Sequence, residues 1–212
     1  MKKAIHDAIL EHYTELYYKH GVHPAAIGWP KGRQNIRFQV MTEIGNMKNS
    51  KILDVGCGFG DLLSFFKFKK IRVNYTGVDI NPIFVKIAKQ RHPKAIFQVR
   101  DIEKERFRDK FDWVFAVGTT NMAGSHEYIT NLLTEMLRIA KKGVAMDFMS
   151  TYVDFKRPKS FHASPERVFQ IGKKLSKRVV VRHDYLPFEF CIYIYKNDIL
   201  MENQTFVDFP VS

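Results

Sequence analysis

Cysteine is scarce in this chain: Cys57 and Cys191 are the two present among 212 residues. Two thiols set no disulfide framework, and a chain of this length can bury a substantial core without one. Long apolar runs are missing as well, and no stretch approaches the roughly 20 residues that a membrane-spanning helix needs. Met1-Lys2-Lys3 is basic, but His6 and Asp7 interrupt Ile5 to Leu10, so the opening does not read as a secretory signal. A cytoplasmic location is the expectation. Acidic residues are outnumbered, 22 Asp+Glu against 34 Lys+Arg, for a formal charge of +12. Such a balance suits a polyanionic partner when it is concentrated on one face. Here it is dispersed, from Lys67–Arg72 through Lys86–Lys94 and Arg100–Lys110 to Lys173–Arg182, mostly at helix ends and on helix faces. A solvated surface accounts for it better. The eight histidines are scattered, and His20-Gly-Val-His23 lacks acidic or cysteine companions, so no metal site is expected.

What the chain does have is a change of rhythm. Ile5, Ile9, Tyr13, Leu16 and His20 recur at helical spacing, with Gly21 placed to end the helix. A loop with Trp29 follows, then a second helix from about Arg33, with Ile36, Val40, Ile44 and Met47 on one stripe. From Lys51 short apolar strands alternate with amphipathic helices. Strands are expected at Lys51–Val55, Asn74–Asp79, Ala95–Val99, Phe111–Val117 and Gly143–Phe148. Helices are expected at Asp61–Phe68, Asn81–Arg91 and Ser125–Ala140, and after Ser164-Pro165. A hairpin, Arg178–His183 and Phe188–Tyr195, closes the pattern, its second strand reading as half-buried. Alternating strand and helix means a parallel sheet with right-handed crossovers. The expected organisation is a helical lid or extension over 1–48, a core over 49–197 and an unassigned tail over 198–212.

The chemistry concentrates in Ile52-Leu53-Asp54-Val55-Gly56-Cys57-Gly58-Phe59-Gly60-Asp61, a strand, a glycine turn and a helix start. Alternating glycines let the backbone turn sharply beside a ligand. Dinucleotide sites share this architecture, but two details differ. The position three after Gly58 is Asp61, whose carboxylate would repel a pyrophosphate, and Asp54 stands just ahead of the turn. Both suit a cationic ligand, a sulfonium, better than a polyphosphate. Asp79, at the end of the second strand and about 20 residues beyond the turn, is placed to accept both hydroxyls of a ribose.

LDVGCGFGD followed by GVDINP resembles motifs I and II of the class I S-adenosylmethionine-dependent methyltransferases. Gln98–Ile102 is similar to the acidic motif beside the adenine, Phe111–Gly118 to the fourth strand, and Ser125–Met149 to the helix and strand after it. The resemblance covers about 50–196. It implies a Rossmann-like α/β fold, a seven-stranded mostly parallel sheet in the order 3-2-1-4-5-7-6 flanked by helices. It implies S-adenosylmethionine as cofactor, with Asp54, Gly56, Gly58 and Gly60 around its methionine portion. Asp79 and the adjoining Ile80 would meet the ribose, and Asp101 and Ile102 the adenine, with Val117 closing the fourth strand beside them. Trp29 and Arg37 lie where a lid would meet the cofactor. Trp29 would pack on its methionine arm, and Arg37 would pair its carboxylate.

The acceptor is bounded mainly by what is missing. After the fourth strand stands Gly118-Thr119-Thr120-Asn121, not the Asp/Asn-Pro-Pro-aromatic turn of enzymes that methylate base amines. Neither cysteine sits in the Pro-Cys context of pyrimidine C5 enzymes. A small-molecule or biosynthetic-intermediate acceptor, methylated at oxygen, is the expectation. An RNA methyltransferase is the alternative, favoured by charge alone. A non-catalytic cofactor-binding subunit is the alternative of another class. Histidine is the commonest side chain for taking a hydroxyl proton near neutrality. His183, at the end of a strand parallel to the first, is therefore the expected base or acceptor-orienting group. His162 and Asn121 are the next candidates.

Overall fold

In the computed structural model, residues 2–29, 31–122, 124–155 and 160–196 are described. The tail over 198–212 lies outside them. The element order is α1 (Lys2–His20), a 3-10 turn (Pro24–Ile27), α2 (Gln34–Thr42), β1 (Lys51–Val55), α3 (Asp61–Phe68), β2 (Asn74–Asp79), α4 (Pro82–Arg91), β3 (Ile96–Val99), β4 (Phe111–Ala116), α5 (His126–Ile139), β5 (Ala140–Ser150), β6 (His162–Ala163), α6 (Pro165–Leu175), β7 (Val179–Leu186) and β8 (Glu189–Tyr195). The sheet runs β3-β2-β1-β4-β5-β8-β7, parallel except for β8, with the two-residue β6 paired to β5. Without β6, which periodicity cannot show in so short a strand, this is the expected order. It is the Rossmann-like class I methyltransferase fold.

The helix starts follow from side-chain caps. Asn81 Oδ1 accepts from the Ile83 N–H at 2.9 Å, Ser125 Oγ from Tyr128 at 3.1 Å, and Ser164 Oγ from Arg167 at 3.1 Å. Both sheet faces are covered, as parallel strands require. On one, Leu132, Leu133 and Met136 of α5 and Val168 of α6 pack on Val114, Met146 and Ile192. On the other, Phe38, Phe66 and Val85 pack on Ile52, Phe115 and Tyr193.

Three local expectations are corrected. Strand β8 is buried on both faces, not one, because it lies between β5 and β7 with helices above and below. Its alternating polar positions, Glu189, Cys191 and Tyr193, face the α2 side instead of water. Strand β5 starts before the expected Gly143: the chain turns extended already at Ala140, and Gly143 sits within β5, where a Cβ would stand 2.7 Å from the Ile194 carbonyl. Helix α2 stops at Thr42, whose hydroxyl donates to the Phe38 carbonyl at 2.8 Å and competes with helix propagation. Ile36, expected on the buried stripe, is on the outer face of the helix, 42% exposed.

Candidate active site

The carboxyl ends of β1, β2 and β4 are held open by the turns that follow them, and α1 and Trp29 roof the gap. The result is a cavity of about 120 Å³. Helix α1 is fixed over it by side chains and not by backbone pairing. Asn81 Nδ2 donates to Thr14 Oγ1 at 3.1 Å, and Tyr13 and Tyr17 pack edge-on against Phe84. His6 sits between two carboxylates, with Nδ1 2.7 Å from Asp101 Oδ2 and Nε2 3.1 Å from Glu103 Oε2. Lys104 Nζ also approaches Asp101 Oδ2, at 3.2 Å. These contacts latch the extension onto the loop after β3.

The floor is electrostatic. Asp79 is fixed by two backbone donors, the Gly58 N–H to Oδ2 at 2.9 Å and the Asn81 N–H to Oδ1 at 2.8 Å. Burial raises its proton affinity, and those N–H groups oppose the rise. Asp54 is buried and accepts from the Tyr75 hydroxyl. Burial, reinforced by Asp79 and Asp61, holds its carboxyl up at about 7 despite the Tyr75 bond. Asp61 lines the cavity too, paired to Arg91 at 2.7 Å. A cavity with this much buried acid and an apolar wall of Ile80 and Ile102 suits a cationic ligand that also offers hydroxyls.

Of the eleven cofactor candidates, Trp29, Asp54, Gly56, Gly58, Asp79, Ile80, Asp101, Ile102 and Val117 line this cavity. Gly60 and Arg37 are not among its lining residues. Gly60 begins α3 at φ +78°, a conformation glycine adopts freely, and a Cβ there would meet His92 at 2.8 Å. The side chains of His92 and Phe97 fill the space a Cβ would need there. Arg37 turns away to Glu189, its Nε and Nη2 both donating to that carboxylate, and stacks 4.0 Å over the Trp29 ring. Tyr13 and His6 line the cavity and escaped the sequence reading. Tyr13 shares the spacing of an ordinary core helix and His6 reads as a break in an apolar run, and nothing in a single sequence says that a cavity lies beneath.

A second cavity, about 310 Å³, adjoins the first at Trp29, which lines both. Gly28, Lys31, Arg33, Arg37, Asn121, Met149, Phe155, Phe188 and Glu189 complete the part that matters here. Of the three catalytic candidates, Asn121 alone is in either lining. His162 donates through Nδ1–H to the Ser150 carbonyl, 2.9 Å away, and packs behind Phe155. His183 faces Tyr152 and Phe190, on the α6 side of the sheet. Strand β7 runs parallel to β1 as expected, but pleating turns this residue away from the α2 side, where Arg37 and Glu189 lie.

Known proteins agree with this geometry. A family model described as a methyltransferase domain matches residues 52–143. A protein of Mycobacterium tuberculosis bearing the name methyltransferase Rv1506c is 28% identical over 68% of this chain and 92% of its own length. The phthiotriol/phenolphthiotriol dimycocerosates methyltransferase of Mycobacterium leprae is 31% identical over 51% of this chain, which spans 40% of that relative. In fold, the chain is similar to magnesium protoporphyrin IX methyltransferase from Synechocystis, solved with bound SAH. The TM-score is 0.67 at 13% identity, over 93% of this chain and 100% of that one. With the strand order, the glycine turn and the two acidic strand ends in place, the chain has the fold of the class I S-adenosylmethionine-dependent methyltransferases and is similar to them across the methyltransferase domain at 52–143.

Proposed function

We propose that the protein transfers a methyl group from S-adenosylmethionine to an oxygen of a small-molecule acceptor. The observation that carries this reading is the pair of adjoining cavities that share Trp29, one acidic and one largely apolar. The cofactor, when bound, supplies an electrophilic methyl, so the protein has little covalent chemistry to do. Its residues bind, orient and exclude water. Asp79 is the acceptor for the ribose hydroxyls, Asp54 the counter-charge for the ammonium, and Ile80 with Ile102 the walls for the purine. Asp101 serves the adenine edge only with its carboxylate already shared by His6. Asn121, in the lining of the second cavity, is the candidate for orienting the acceptor. A small-molecule acceptor is in keeping with the names of relatives, which specify a phthiotriol derivative in one case and magnesium protoporphyrin IX in another.

The test is transfer of labelled methyl to a size-fractionated cell extract. Label is expected in the small-molecule fraction. Label confined to RNA would contradict the acceptor class, and cofactor binding with no transfer to any fraction would favour a non-catalytic subunit.

A further inference from the structure

The second cavity describes its occupant more closely than the fold does. Its walls are apolar and flat, formed by Trp29, Phe155, Phe188 and Met149. Lys31 and Arg33 also line it, both exposed to solvent and neither in an ion pair among the described residues. Glu189 is the one acidic residue of this lining among the described residues, and Arg37 takes both of its oxygens. The free charge of the chamber is therefore positive, beside aromatic surface.

We propose that this chamber takes an amphipathic carboxylic acid with a flat, unsaturated or aromatic body, and that the methyl acceptor is its carboxylate oxygen. The inference rests on the methyltransferase reading above. A hydroxyl acceptor must lose a proton as its new bond forms, which calls for a base within about 3 Å or one water away. His162 and His183 are outside the lining, and the Glu189 carboxylate is occupied by Arg37. Asp147 lies beneath the turn after β4, accepting the Gly118 N–H at 2.6 Å, and lines neither cavity. A carboxylate needs no such base. One of its lone pairs forms the carbon–oxygen bond, and the sulfur–methyl bond breaks with its electron pair left on sulfur. Negative carboxylate and positive sulfonium become neutral ester and neutral thioether, and no proton moves. Lys31 and Arg33 would hold the second oxygen, a charge-assisted contact that orients the first. Trp29, Phe155 and Phe188 would stack on the body of the acid.

The experiment treats the labelled small-molecule product with mild alkali. A methyl ester releases its label as volatile methanol, whereas ethers, methylated amines and carbon-bound methyls keep theirs. Release is the expected result, and an alkali-stable label overturns the inference while leaving methyl transfer intact. Absence of transfer to any fraction removes both. A binding measurement without cofactor is independent of turnover. Ligand-observed NMR with 4-phenylbutyrate and its amide as probes should show the acid bound in preference. In a Lys31→Ala/Arg33→Ala variant the acid should weaken by about tenfold or more, the loss of charge-assisted contacts. Unchanged affinity for S-adenosylhomocysteine in that variant shows that the fold is retained. Acid and amide binding equally well would overturn the carboxylate assignment.

Discussion

Arg37 on α2 and Glu189 at the start of β8, 152 positions apart, form a two-point ion pair with side chains only 4% and 5% exposed. The pair joins the N-terminal extension to the core strand that borders the acceptor chamber. Removing one partner leaves the other charge buried without compensation. Arg37→Ala should therefore cost about 3–5 kcal/mol of stability, whereas Arg37→Met combined with Glu189→Met should recover most of it. Urea unfolding of the three proteins checks this, and a single-variant loss below about 1 kcal/mol, the scale of a surface pair, would contradict it.

Gly118 carries the roof. Its φ is +72°, and a Cβ would stand 2.2 Å from the Trp29 ring. Gly118→Ala adds left-handed strain to a clash with the Trp29 ring, on which Arg37 stacks. A loss of about 1–3 kcal/mol and a changed Trp29 fluorescence are expected. A variant as stable as the parent with an unaltered spectrum would mean that Trp29 does not seat there.

Cofactor affinity should fall in acid. Burial holds the Asp54 carboxyl at about 7, above its ordinary 3.8. Between these two values the native chain keeps a proton that the unfolded chain has released, so this group's contribution to stability declines as pH rises through that window. An ammonium ligand favours the ionised form, so binding has the opposite sign and weakens as pH falls below about 7. Calorimetry with S-adenosylhomocysteine should show an affinity about tenfold lower at pH 6 than at pH 8, the loss that one proton gives over one unit. An affinity flat across that range would remove Asp54 as the counter-charge.

The position of His183 reverses the expectation drawn from strand direction. With its ring against Phe190 and Tyr152 and outside both linings, His183→Ala should leave kcat within about threefold, well short of the 10²–10⁴ contributed by a general base. Methyl-transfer rates with cofactor affinity measured in parallel decide the point. A hundredfold loss at unchanged affinity would restore His183 as the base.

The sheet and the cofactor edge were legible because they depend on local signals. The glycine turn, Asp79 and the Asn81, Ser125 and Ser164 caps each act within a few residues of themselves. What escaped depends on packing between distant segments. Arg37 was expected at the cofactor carboxylate, and nothing near it in sequence announces Glu189. Gly60 belongs to the motif, and the His92 and Phe97 side chains that leave no space for a Cβ there come from distant segments. His183 was placed on the right edge and on the wrong side, since one residue along a strand reverses the face and the register shifts between Arg182 and Leu186. Tyr13 read as core because a roofing helix and a core helix share the same period.

The central claim is that the Asp54–Asp79 edge holds S-adenosylmethionine, and titration calorimetry of the purified chain tests it most directly. S-adenosylhomocysteine should bind in the micromolar range, about −8 kcal/mol. Asp79→Ala should weaken it by about 1–3 kcal/mol, the cost of stranding the ribose hydroxyls. NADH should give no heat of binding. Binding of NADH with indifference to S-adenosylmethionine and its product would contradict the account.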